Sequence, residues 1–154
     1  MRASLLLLLA FSLSLSSCLK DLPTPEEQLA KDKEIIENYL KSKNLTAQST
    51  ASGLYYIIDQ PGGGGHPTLQ DTVTVEYKGY FTNGSVFDQT EAGKTATFPL
   101  NRVIQGWQEG IPLFQKGGKG TLLVPSGLGY GPYGQGPIGA NTVIIFDVTL
   151  VDFN

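Results

Sequence analysis

The chain has 154 residues, 40% of them hydrophobic, and a formal net charge of -3; this suits one folded domain with extras around a single core. No run of Lys or Arg reaches the density that a polyanion needs, so a DNA or RNA partner is excluded on electrostatic grounds. The 19 Gly and 9 Pro show no collagen-like period and read as turns of a β-rich fold.

Arg2 supplies a short positive start, Leu5 to Leu15 is apolar except for Ser12 and Ser14, and Leu15-Ser16-Ser17-Cys18 follows. A secretory signal has this layout. The apolar run is shorter than the roughly 20 residues a membrane span requires. Leu-Ser-Ser-Cys also resembles the bacterial lipobox. Residues 1–17 are therefore expected to be a lipoprotein signal peptide, and Cys18 the lipidated membrane anchor. Cys18 is the only Cys, so an internal disulfide is impossible. Residues 18–25 are expected to be a tether.

Thr24-Pro25-Glu26-Glu27 predicts a helix start: Thr24 caps, Pro25 fits the first turn, and Glu27 closes a capping box. Leu29, Ile36 and Leu40, with Ile35 and Tyr39 beside them, draw a narrow apolar stripe along a charged helix of about Glu26 to Lys43. Two readings fit: a helix packing on its own domain, or a homodimerisation arm through residues 26–43. The expected division is residues 26–52 as helix and linker and 53–154 as the main domain.

Within that domain, Leu54 to Asp59 reads as a strand, and Gln60 to Pro67 as a Gly-rich loop lacking the Gly-Lys-Ser/Thr ending of a phosphate cradle. Thr72 to Phe81 alternates, with Val73, Val75, Tyr77, Gly79 and Phe81 on one face. Asn83-Gly84 signals a hairpin turn into Val86-Phe87-Asp88. Thr95 to Leu100 is a short strand, and a short helix around Trp107 ends at Gly117-Gly118. Gly120 to Val124 is another strand, Pro125 to Asn141 a long Gly/Pro/Tyr loop, and Thr142 to Val151 a final strand with Ile144, Phe146, Val148 and Leu150 on one face. The expected fold class is α+β: an antiparallel five- to six-stranded half-barrel sheet wrapped on one short helix, preceded by an N-terminal helix.

The chemistry is easier to exclude than to assign. One His in a Gly loop supports no Ser/His/Asp arrangement and, lacking a second ligand, no metal site. The acids are scattered, with no pair spaced for glycoside hydrolysis. No cofactor is expected. What remains is a set of aromatic residues on several strands and a helix, with few charges among them.

The ordered blocks then become recognisable. Val73-x-Val75-x-Tyr77-x-Gly79 is followed by Asn83-Gly84-x-x-Phe87-Asp88. Next comes Phe98-x-Leu100-x-x-Val103-Ile104-x-Gly106-Trp107-x-x-Gly110-Ile111. Gly117-Gly118-Lys119-x-x-Leu122-Leu123-Val124-Pro125 leads to Leu128-Gly129-Tyr130-Gly131, and Ile138 precedes Thr142-Val143-Ile144-Ile145-Phe146-Asp147-Val148-x-Leu150. Over about Ser52 to Asn154 this resembles the FKBP-type peptidyl-prolyl isomerase domain. The lipobox and charged helix resemble FKBP lipoproteins of bacteria with two membranes.

The resemblance implies an isomerase that turns X–Pro bonds of exported proteins in the bacterial cell envelope, with proline-containing unfolded polypeptides as partners. A proline-peptide-binding chaperone with weak turnover is the alternative. It implies Trp107 as pocket floor, with its flanking glycines letting a proline ring lie flat. Tyr77, Phe87, Phe146, Val103 and Ile104 would form walls, Tyr130 and Ile138 the rim, and Asp88 the edge. The Tyr130 hydroxyl and the Ile104 N–H would donate to the bound peptide. Three features depart from the family pattern: no Arg follows Phe87-Asp88, Ala96 stands where an aromatic is usual, and Gly139-Ala140 replaces Pro-Pro.

Overall fold

The structure, a computed structural model, describes residues 22–154. The expected signal peptide, the Cys18 anchor and half of the tether lie outside the described residues. Helix α1 (Pro25–Lys43) starts as the sequence requires: Thr24 Oγ1 accepts from the Glu27 N–H, and the Glu27 carboxylate accepts from the Thr24 N–H. Asn44 ends it in the left-handed conformation, its N–H turned back onto the last carbonyls.

Seven strands form one antiparallel sheet: β1 (Gln48–Ser49), β2 (Tyr55–Gln60), β3 (Thr72–Phe81), β4 (Val86–Gln89), β5 (Ala96–Pro99), β6 (Lys119–Val124) and β7 (Ile144–Phe153). Their order is β1-β2-β6-β7-β3-β4, with β5 also paired to β3. β5 pairs the first half of β3 (Val73 opposite Phe98), and β4 the second half (Gly79 opposite Asp88). The sheet thus has one strand more than the sequence predicts. The addition is the two-residue β1, by which the segment after α1 joins the sheet edge through Gln48 and Ser49.

Alternation along β3 and β7 puts Val73, Val75, Ile144, Phe146, Val148 and Leu150 into one core with Leu122, Val124, Trp107, Ile111 and Phe114. The opposite face is not left to water. Leu123, Val143 and Ile145 pack against Ile36 and Leu40 of α1, with Tyr39, Tyr55 and Tyr80 at the margin. Burying each such aliphatic side chain stabilises the fold by about 1.5–3 kcal/mol. Of the two readings of the apolar stripe, packing on its own sheet is therefore the one that Ile36 and Leu40 serve.

Helix α2 (Gln105–Gly110) lies across the inner face of the sheet. Its closeness to β6 depends on two missing side chains. A Cβ at Gly106 would sit 2.5 Å from Val124 Cγ1, and one at Gly110 would sit 2.7 Å from Leu122 Cδ1. The glycines beside the indole therefore face the sheet. They set the depth of the helix, which differs from the role the family resemblance suggests for them.

This predicts the sign of one substitution. Gly106→Ala gains about 0.5–1 kcal/mol of helix propensity but forces a methyl onto a buried β-branched neighbour, an overpacking cost of about 1–3 kcal/mol. The urea midpoint is expected to fall; a rise would contradict the close α2–β6 approach.

Candidate functional site

A cavity of about 500 Å³ opens beside α2, lined by Tyr77, Asp88, Phe98, Arg102, Val103, Ile104, Trp107, Tyr130, Gln135 and Phe146. Strands β3 and β7 and helix α2 position the central aromatic groups. Strand β3 carries Tyr77, and alternation aims it to the same side as Val73 and Val75. Strand β7 contributes Phe146 by the same rule, opposite Gly79 in the ladder. Trp107 sits in the first turn of α2, just after Val103 and Ile104 in extended conformation.

Trp107 is only 4% exposed, yet it lines this cavity. Three rings stand edge-to-face against its indole: Tyr77 at 5.3 Å between centroids, Phe146 at 5.3 Å and Phe98 at 5.8 Å. Such contacts orient rings more firmly than area alone does. The indole Nε1–H is buried and, among the described residues, has no hydrogen-bond partner. Leaving a buried donor unpaired costs about 1–3 kcal/mol.

Phe87 and Ile138 do not line this cavity. With Asp88, Tyr130, Gln135, Gly136 and Pro137 they border an adjoining hollow of about 200 Å³. Phe87 packs edge-to-face on Phe146, centroids 5.6 Å apart. Gly79 makes room for this pair, since a Cβ there would fall within 2.8 Å of both rings. Of the nine residues expected in the pocket, seven line the main cavity and two its annex, and Asp88 and Tyr130 belong to both.

Polar groups at the site are few. The Tyr77 hydroxyl donates to Asp88 Oδ2 at 2.6 Å. Burial is the main reason the Tyr77 phenol is held well above the usual tyrosine range; the hydrogen bond and charge of Asp88 add to it. The Tyr130 phenol is raised too, by burial first and then by the Asp88 charge. Both therefore stay protonated donors at neutral pH. Among the described residues no group of three or more His, Cys, Asp or Glu could hold a metal ion.

Sequence reasoning missed Phe98, Arg102 and Gln135 as lining residues. Phe98 stood in a recognised block, and its alternation with Ala96 along β5 could have aimed it inward. Arg102 comes from the 3₁₀ turn Leu100–Arg102, so this cationic wall group stands elsewhere than the family position after Phe87-Asp88; it makes no ion pair with Asp88 among the described residues. Ala96 is not part of the lining. Gln135 is brought in by a local bridge, its N–H donating to the Ile138 carbonyl and its carbonyl accepting from the Ile138 N–H; nothing in the sequence pattern announces that.

The site is thus an aromatic cleft over a short helix that crosses an open antiparallel half-barrel. The FKBP-type peptidyl-prolyl cis-trans isomerase profile matches residues 63–151, and the chain belongs to that family. It is 43% identical over 129 residues to the FKBP-type peptidyl-prolyl cis-trans isomerase FkpA of Aeromonas hydrophila, covering 78% of this chain and 48% of that protein. To the outer membrane protein MIP of Legionella longbeachae it is 48% identical over 102 residues, covering 65% of this chain and 44% of that one. The crystal structure of FkpA from Escherichia coli superposes with a TM-score of 0.74 at 38% identity, over 84% of this chain and 60% of that chain. A peptidyl-prolyl cis-trans isomerase from Pseudomonas syringae pv. tomato gives 0.72 at 28% identity, over 87% and 98%. The chain spans about half the length of the curated relatives it matches.

The tyrosines set an alkaline limit. Tyr77 and Tyr80 are raised, chiefly by burial, and Tyr55 is pushed up to about 12 by burial and its bond to Glu37. A raised folded-state value favours the protonated form, so this stability is complete below the ordinary tyrosine value of about 10 and is lost as pH climbs past it. The urea midpoint should show no tyrosine-linked loss between about pH 7 and 9 and fall above that, less steeply in Tyr77→Phe. An equal alkaline decline in Tyr77→Phe would contradict the reading of Tyr77.

Proposed function

We propose that this chain is a peptidyl-prolyl cis-trans isomerase that speeds rotation of X–Pro bonds in unfolded or partly folded polypeptides. The observation that carries the reading is the edge-to-face box of Tyr77, Phe98 and Phe146 on the Trp107 indole, left open as a cavity large enough for a prolyl ring.

The physics of the reaction fits such a box. An X–Pro bond turns over in tens to hundreds of seconds unaided, across a barrier of about 20 kcal/mol. No bond to carbon breaks. Twisting the C–N bond removes amide resonance and its charge separation, so water stabilises the planar ground state more than the twisted one. Aromatic walls withhold that water and thus favour the twisted state differentially. A nucleophile has no task here.

In this mechanism the prolyl ring rests on Trp107, against Tyr77, Phe146, Val103 and Ile104, with Phe87 supporting Phe146 from the annex. Tyr130 and Ile138 form the rim. The Tyr130 hydroxyl and the Ile104 N–H hold peptide carbonyls. Asp88 fixes the Tyr77 hydroxyl and sets a negative field at the edge. Each donor contributes at most a few kcal/mol.

A protease-coupled assay on a Phe-Pro peptide tests this. The wild-type chain should exceed the uncatalysed rate, and Trp107→Leu, if folded by circular dichroism, should lose about tenfold in kcat/KM or more. Retention of the full rate in Trp107→Leu would overturn the mechanism. Binding of unfolded protein without turnover would favour the chaperone reading instead.

We further propose that the chain acts in the bacterial envelope, anchored through lipidated Cys18. The Leu15-Ser16-Ser17-Cys18 stretch and the outer-membrane name of the Legionella relative support this. Among the described residues no helix is long and apolar enough to cross a membrane. Fatty-acid labelling in a bacterial host should mark the wild type and not Cys18→Ser; equal labelling of both would contradict the anchor.

A further inference from the structure

The loop that carries Tyr130 is long and poor in regular structure, so something must hold it. Among the described residues, the hydrogen bonds of residues 126–141 stay within the loop or its immediate flanks, with one exception. Ser126 donates twice to Asp32 of α1: its N–H to Oδ2 at 2.7 Å and its Oγ–H to the same oxygen at 2.6 Å. The other carboxylate oxygen accepts from Gln28 Nε2 at 2.7 Å. Asp32 is 1% exposed and Ser126 equally so. No cation pairs with Asp32 among the described residues, so a buried carboxylate is held by these donors alone, an arrangement that is costly unless each bond is made.

The anchorage continues toward the cavity. The Ser126 carbonyl accepts from the Gly129 N–H at 3.0 Å and the Gly131 N–H at 2.9 Å. These residues flank Tyr130, which lines both the main cavity and its annex. A path of hydrogen bonds thus runs from α1, through one serine, to both neighbours of a rim residue. Asp32 lies outside residues 63–151, the stretch matched to the family.

We propose that Asp32 is a positioning residue for the isomerase site: it fixes Ser126 and thereby the placement of Tyr130, so that the N-terminal helix completes the pocket. This rests on the isomerase reading for its effect on turnover, though the ordering of the loop does not.

The test is a double-mutant cycle with a second, activity-independent readout. Asp32→Asn keeps the shape and removes the carboxylate charge. It should lower kcat/KM on the Phe-Pro peptide by about 3- to 10-fold, and the loss should vanish in a Tyr130→Phe background. Ile36→Val, on the same helix, should lower the melting temperature while leaving kcat/KM unchanged. In amide hydrogen exchange, Gly129 and Gly131 should exchange faster in Asp32→Asn while the amides of α2 do not. Should Asp32→Asn fail to fold, Ser126→Ala, which keeps the backbone bond, carries the same comparisons. A loss equally large in the Tyr130→Phe background, or unchanged exchange at Gly129 and Gly131, overturns the proposal. If the wild type has no turnover, the isomerase reading fails, and the exchange pattern alone decides whether Asp32 orders the loop.

Discussion

The depth at which α2 sits against β6 governs the rest of the molecule. Gly106 and Gly110 carry no side chain where Val124 and Leu122 press on the helix. With the helix seated at that depth, the Trp107 indole meets Tyr77, Phe98 and Phe146 at edge-to-face distances, and a cavity stays open above it. A helix a methyl group higher would disturb those ring contacts or fill the cavity. The glycines give up helix propensity at two of six positions in a short helix, and a defined floor results.

Around that floor the site keeps charge low and fixes the charge it has. The Tyr77 hydroxyl donates to Asp88, which leaves its polar tip satisfied. The buried Trp107 donor is the exception, unpaired among the described residues. The N-terminal extension belongs to the same economy of contacts. α1 covers the outer face of the sheet with Ile36 and Leu40 and reaches the rim loop with Asp32, so the helix is both a packing element and a strut.

Much of this was legible before any coordinates. Period-two alternation identified β3 and β7, because each has one face in a continuous core and a more polar face opposite, apart from Ile145 of β7, which α1 covers. The capping box fixed the start of α1 to within one residue. Tyr77, Trp107, Tyr130 and Phe146 followed from the ordered blocks and the family they resemble, whereas Phe98 did not. Other features had no local signal. β1 is two polar residues and exists only because β2 lies beside it. That β4 and β5 share one edge of β3 end to end is a property of the bent sheet and not of either strand's sequence. Gln135 reaches the cavity through a bridge inside a Gly/Pro loop. Asp32 did have a signal: it continues the stripe of Ile36 and Leu40 at intervals of four, and a carboxylate at a core-facing position needs donors from somewhere else. Nothing in the stripe itself names Ser126 as that donor.

We propose that withdrawal of water by the aromatic box, and no proton transfer, accelerates rotation about the prolyl bond. Exchange spectroscopy on a proline peptide at equilibrium, recorded with the chain in H₂O and in D₂O, tests this most directly. The account predicts cis–trans exchange accelerated by the chain and equal in both solvents. No acceleration, or an exchange rate that falls markedly in D₂O, would contradict it.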